Sequence, residues 1–422
     1  MRYQRLINTC LFCIMATIAM AQTSSNSPYT RYGFGELSDQ HFGNSKAMGG
    51  IAYGLRNGLQ VNAANPASYT AIDSLTFIFD AGLSLQNTNF KENGVSTNAK
   101  NSSFDYLAMQ FRLWKRMGMA VGFLPYSTVG YDMTQVKSIN KDEYGDDIES
   151  YHNYKGEGGL QQVFAGLGFK VFNNLSIGAN FSYLYGDIAY ATTTSFNNTN
   201  AFSSVRTQKI SISSYKLDLG TQYTQKFGSK HVFNLGATYS YGHELNGEGY
   251  YNTETYDSNS TLQTHTGDTI TNAFSIPHTF GVGFTYVYNN SLTVGMDYTL
   301  QKWADCKYFN KEGQYSDRRK ISLGAEYLPN YNGRKYWDVV RYRIGFHYAE
   351  PYVKVNGKEG AREYGASLGF GLPIFRSKSV LNISGQYVKV SPKVKGMLEE
   401  NYLRLNIGLT FNDRWFMKWR VE

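Results

Sequence analysis

A chain of 422 residues with 16% aromatic side chains, 42 glycines, 8 prolines and a mean hydropathy of −0.41 excludes helical membrane spans. Beyond the first twenty residues, no stretch offers the roughly 18 uninterrupted apolar positions such a helix needs. The 41 Lys and Arg against 33 Asp and Glu leave +8, scattered rather than clustered, and no nucleic-acid partner is expected.

In chain order, Arg2 and Arg5 precede a mostly apolar run over 6–19, and Ala19-Met20-Ala21 has the small-x-small spacing of a signal-peptidase site. Residues 1–21 are therefore expected to be a cleaved export signal. Their loss removes two arginines and no acid, taking the net charge from +8 to +6. It also removes Cys10 and Cys13, leaving Cys306 without an internal disulfide partner.

Segment 22–74 shows no alternation. It is rich in Gly, Ala, Ser and Asn and contains Ala47-Met48-Gly49-Gly50 and Asn65-Pro66-Ala67.

From residue 75 onward the pattern changes to period two. Leu175, Ile177, Ala179, Phe181 and Tyr183 alternate with Ser176, Gly178, Asn180 and Ser182, and Leu292–Leu300 and Leu403–Phe411 do the same. Alternation puts one face in an apolar medium and the other in a polar one. About fourteen strands are predicted, over 75–88, 104–113, 117–133, 160–171, 174–188, 209–225, 230–241, 278–288, 291–302, 319–328, 340–350, 361–372, 379–390 and 401–411. Many run to ten residues or more, the length a tilted strand needs to cross a bilayer, whereas soluble strands cluster near 5–6 residues.

The connections alternate between short and long. Lys115-Arg116, Asn173-Asn174, Phe227-Gly228-Ser229 and Asn289-Asn290 read as tight turns. Connections 89–103, 134–159, 189–208, 242–277, 303–318, 351–360 and 391–400 are longer. Outer-membrane barrels keep periplasmic turns short and let external loops grow. The expected architecture is thus all-β: a transmembrane antiparallel β-barrel over 75–422, with segment 22–74 as a plug, or hatch, in its lumen. Trp114, Trp337 and Trp415 fall near expected periplasmic strand ends and Trp303 near an external one, as interfacial girdles require.

Two sets of residues carry a family resemblance. Ser45-Lys-Ala-Met-Gly-Gly50 followed by Asn65-Pro-Ala67 is similar to a hatch segment. Arg319-Lys-Ile-Ser-Leu-Gly-Ala-Glu-Tyr327, Tyr342-Arg-Ile-Gly-Phe346, Pro351 and Ser367-Leu-Gly-Phe-Gly-Leu-Pro373 are similar to late barrel strands in order and spacing. Together they resemble the FadL/TodX family of outer-membrane transporters for hydrophobic compounds. The resemblance implies a fourteen-stranded barrel closed by an N-terminal hatch, passive uptake of a small hydrophobic ligand, and exit into membrane lipid through a gap at a kinked third strand. On it, Gly49, Gly50, Asn65, Pro66 and Ala67 would form the gate, and Phe123, Leu124, Pro125 and Tyr126 the exit. Proline gives the last site a separate reason, because it lacks the N–H that a mid-strand position must donate. The alternative is a bulge that only shapes the barrel.

The resemblance breaks down in the long connection 134–159, where Lys141-Asp142-Glu143 and Asp146-Asp147-Ile148-Glu149 stand. Desolvating such charges costs about several kcal/mol, a poor first contact for an acyl chain. The acids lack the spacing of a dedicated calcium loop, and no metal or other cofactor is expected. His41, His152, His231, His243, His265, His278 and His347 show no spacing with Ser and Asn or Asp that would define a catalytic set, so no enzyme activity is expected. The charged external loops support a rival reading, a structural or accessory barrel with other outer-membrane proteins as partners.

Overall fold

Each predicted strand forms, and most grow beyond the expected limits. The computed structural model describes residues 26–414 except 93, 142–146, 199, 356, 375–377 and 393–397. The expected signal at 1–21, Trp415, and Asp142, Glu143 and Asp146 lie outside the described residues.

The fourteen strands are β1 Thr76–Glu92, β2 Val95–Trp114, β3 Met117–Lys141, β4 Asp147–Lys170, β5 Leu175–Phe196, β6 Ser203–Phe227 and β7 His231–Ser240, followed by β8 Thr279–Tyr288, β9 Leu292–Gln301, β10 Arg318–Tyr327, β11 Arg341–Ala349, β12 Ala361–Pro373, β13 Val380–Pro392 and β14 Glu399–Arg414. Every neighbour pair is antiparallel. β14 returns to β1 from Thr76↔Arg414 to Lys91↔Glu399, which closes the sheet and leaves no edge strand. The result is a closed fourteen-stranded transmembrane barrel.

The wall is apolar outside and polar inside. Leu235, Phe284, Met296, Leu323 and Phe346 pair in one row across β7–β11, and all five are exposed on the outer face. Displaced by one residue, Asn234, Thr285, Asp297 and Ser322 are buried. Exposed hydrophobics beside buried polar groups reverse the arrangement of a water-soluble protein, and suit a wall that faces lipid.

The tight turns take the expected geometry. Asn289 and Asn290 have φ of 52° and 51°, and Gly228 has 64°. The connection between β10 and β11 departs from the short pattern and holds a helical turn, Tyr336–Val339. On the opposite end, much of what was expected as loop is strand. β3 and β4 remain paired up to Lys141↔Asp147, and the connection between β7 and β8 forms a hairpin, Gly247–Tyr256 with Leu262–Thr271, that extends β6. These extensions are rich in Thr and Tyr without strict alternation. Once past the bilayer neither face must be apolar, so period two no longer marks the strand.

The girdle expectation splits. Trp114 and Trp337 are 69% and 66% exposed, at one barrel end. Trp303 is fully buried, which overturns the interfacial reading for it. It packs with Phe34, Tyr315 and Tyr352 in an internal aromatic cluster, because the turn Trp303–Asp305 folds back over the lumen.

Candidate functional site

Within the wall lies the chain from Asn26 to Ser74. Its groups meet inward-facing positions on strands all around the barrel. The Tyr69 hydroxyl donates to Asn180 Oδ1 on β5 at 2.9 Å, and the Ala52 and Tyr53 N–H groups donate to Asp297 on β9 at 2.5 and 2.8 Å. Gln386 Nε2 on β13 donates to the Lys46 carbonyl at 2.8 Å, and the Tyr106 hydroxyl on β2 accepts from Gly43 N at 2.9 Å.

Gly49 sits where the segment presses against the wall, and Gly50 follows it against His41 of the segment itself. Gly295, Gly324 and Gly345 form an inward row across β9–β11, and a Cβ on Gly345 would overlap the Gly49 backbone. Gly49 has φ +66°, and its own Cβ would lie 2.5 Å from the Phe346 carbonyl oxygen. Only glycine meets both demands. Asn65, fully buried, caps the short 3-10 helix Pro66–Ala71: its Oδ1 accepts from Ala67 N at 3.2 Å, and Pro66 takes the first helical position. Its Nδ2 donates to the Tyr53 carbonyl at 2.8 Å and to the Thr221 carbonyl on β6 at 3.1 Å, tying the segment to itself and to the wall.

The other candidate residues lie on β3, where the wall parts. β2 and β3 pair from Trp114↔Met117 to Leu107↔Phe123 and then separate. Phe123 faces outward with its ring 5.9 Å from Phe104 on β2, while Leu124 is buried against the N-terminal segment. The β3–β4 register shifts between Pro125 and Ser127, a bulge that turns Tyr126 toward the internal aromatic cluster. The β3 edge that leaves β2 is taken by the N-terminal segment. The Pro125 carbonyl accepts from Gln40 Nε2 at 3.2 Å, the Tyr126 carbonyl from Ser38 N at 2.9 Å, and the two-residue strand Glu36–Leu37 pairs with Thr128 and Ser127. The two sets of candidates are thus joined by chain 36–40. Sequence reasoning missed this link, because two residues are too few for any periodicity.

Behind the parted seam is a cavity of about 180 Å³. Its walls include Ser103 and Asp105 from β2, Pro125 and Thr128 from β3, and charged groups of both signs, among them Lys46, Glu363, Glu400 and Arg404. Toward the loop end the lumen is closed by the aromatic cluster: Phe34, Phe274, Trp303 and Tyr315 are essentially inaccessible. Cys306 is buried there, and burial pushes its thiol up to about 12, so it stays protonated and unreactive. Apart from Lys46, which lies within Ser45–Gly50, none of these charged or aromatic positions belonged to a motif in the sequence. They meet only because the strands bring them to one face.

Among described residues the histidines do not form a catalytic array with serine. His231 and His278 bond to Tyr286 and Tyr239, His152 to Thr194, and His347 to Glu363.

Comparison with solved structures places the fold. The CymD monoaromatic hydrocarbon channel superposes with a TM-score of 0.61 at 15% identity, over 92% of this chain and 100% of that one. A Pseudomonas aeruginosa FadL homologue gives 0.62 at 13% identity over 89% and 99%, and the P. putida toluene transporter TodX gives 0.60 at 14% over 90% and 100%. The resemblance to the FadL/TodX fold is therefore borne out. No curated protein sequence matches significantly. The model of one family, BamG, matches residues 4–422, nearly the whole length, and the chain belongs to the BamG family.

Proposed function

We propose that this protein is an outer-membrane channel, without enzymatic activity, through which small hydrophobic or amphipathic molecules pass by diffusion between the barrel lumen and the surrounding lipid. The observation that carries the reading is the parting of β2 from β3 above Leu107↔Phe123, with a cavity directly behind it. On this reading Phe123, Leu124, Pro125 and Tyr126 frame the exit, and segment 22–74 is the hatch, hinged where Gly49, Gly50, Asn65, Pro66 and Ala67 touch the wall. The similar folds include a monoaromatic hydrocarbon channel and a toluene transporter, which supports transport of this general kind. The outward apolar face and the export signal expected at 1–21 support the Gram-negative outer membrane as its location.

The test is uptake of a radiolabelled monoaromatic compound by cells carrying the wild-type chain or Pro125→Thr. Threonine restores the missing N–H and favours a continuous strand. Uptake is expected to fall at least tenfold, and unchanged uptake rejects the lateral route.

A second reading has its own support. The aromatic cluster closes the loop end and the cavity is lined by charge, neither of which suits capture of an apolar molecule from outside. On that reading the barrel is an accessory subunit of a larger outer-membrane complex. Stoichiometric co-purification with other outer-membrane proteins, together with wild-type uptake in Pro125→Thr, supports it over transport.

A further inference from the structure

The cavity is built to meet charge rather than hydrocarbon. Several of its ionised groups are already matched: Lys46 with Asp105 at 2.6 Å, Arg404 with Glu36 at 3.2 Å and Arg318 with Glu363 at 3.9 Å. Glu400 is not matched. It lines the same cavity, is only 3% exposed, accepts a hydrogen bond from Ser27 Oγ at 2.6 Å, and has no cation within ion-pair distance among the described residues. A carboxyl buried without a counter-ion holds its proton, and a cation entering the space beside it lets the group ionise and pair.

The route to that space decides what kind of cation fits. The parted edges, Ser103 and Asp105 on one side and Pro125 and Thr128 on the other, are themselves cavity wall. On the lipid side of the seam's foot stand Phe104 and Phe123, rings 5.9 Å apart. A molecule that bridges the seam therefore meets charge and hydroxyls at its inner end and aromatic rings at its outer end.

Resting on the lateral route, we infer that the seam binds a membrane lipid through an ammonium-bearing headgroup, the ammonium seated against Glu400 and the acyl chains left in the bilayer. In this bound position the hydrophobic part of the ligand stays outside the lumen. A charged lumen then stops being an obstacle to transport and becomes the selectivity element.

The experiment is calorimetric titration of the detergent-purified full chain with dihexanoyl-phosphatidylethanolamine, dihexanoyl-phosphatidylglycerol and free ethanolamine. The phosphatidylethanolamine is expected to bind at least tenfold tighter than the phosphatidylglycerol, and free ethanolamine to compete only weakly. Glu400→Gln should abolish the preference, and Glu400→Asp should keep part of it. Heat-modified gel mobility verifies that each variant is folded, and if Glu400→Gln does not fold, the wild-type preference alone decides. Equal binding of the two lipids, or a preference unchanged in folded Glu400→Gln, overturns the inference. Ethanolamine binding as tightly as the lipid overturns its lipid part and leaves a soluble amine as the ligand. Toluene uptake that depends on Pro125 without any headgroup preference leaves the lateral route standing and this inference refuted. If neither uptake nor lipid binding responds to Pro125→Thr, both fall.

Discussion

The two edges of β3 behave differently. Along one, β3 pairs with β4 from Met117↔Phe169 to Lys141↔Asp147, interrupted only by the bulges at Tyr126 and Ile139. Along the other it pairs with β2 only as far as Leu107↔Phe123. One strand thus contributes both a continuous wall and a parted seam. Proline at 125 has no N–H to give, and its own carbonyl and that of Tyr126 find donors in Gln40 and Ser38 instead of in β2. β3 can therefore leave β2 with its own carbonyls still satisfied, because a second segment supplies the missing partners.

The contrast can be tested by placing the same charge on each region. Leu323→Arg, on the lipid face of the continuous wall, should cost about 2–4 kcal/mol in urea unfolding of the barrel in lipid. Phe104→Arg, at the foot of the parted seam, should cost nearer 1 kcal/mol, about the value at a membrane interface, because the guanidinium can turn toward Asp105 and the polar cavity. Equal costs would mean that the seam is closed in the membrane.

An intermediate effect is expected inside. Gly345→Val forces a side chain into the Gly49 backbone and should destabilise by about 1–3 kcal/mol, as overpacking does. Displacing the N-terminal segment should also raise single-channel ion conductance in planar bilayers. Conductance at the wild-type level would show that the segment is not what blocks the bore.

Pro125→Thr tests the seam from the other side. If β2 and β3 then zip past Phe123, each restored backbone bond should add about 1 kcal/mol. Hydrogen exchange of β2 amides over 95–106 would slow accordingly. Exchange as fast as in the wild type would place the cause of the parting elsewhere, in the N-terminal segment.

The smallest effect concerns the loop end. With the thiol of Cys306 buried and pushed up to about 12, intact cells at neutral pH should not label with a membrane-impermeant maleimide, whereas Tyr315→Ala should admit it. Acid provides a milder perturbation. Burial pushes the Asp317 carboxyl up, but hydrogen bonds from Lys302 and the Ala304 N–H and the nearby Lys302 and Arg319 charges outweigh it and hold the group below the ordinary carboxylate range. A depressed carboxyl stabilises above its unfolded value and loses that contribution as pH falls below about 4. Acrylamide quenching of the Trp303 component of the fluorescence should therefore rise modestly in that window and stay flat between pH 5 and 8.

What the amino-acid sequence determined was the wall. Alternation at period two has one solution when the chain must satisfy every backbone group in lipid, and positions such as Leu235, Phe284 and Met296 declare their face without reference to any neighbour. The Asn-Asn and Gly turns and the proline in β3 were legible for the same reason, since each acts through its own φ or its own missing N–H. The interior, by contrast, took shape only with the closing of the barrel. Trp303 read as an interfacial anchor and is instead the centre of a buried cluster, and Glu36, Glu400 and Arg404 share a cavity although 364 residues of chain separate the first two. Contacts of that range leave no period in the sequence. They arise when a closed sheet brings the inward faces of distant strands around one short segment, and geometry rather than local preference selects the partners.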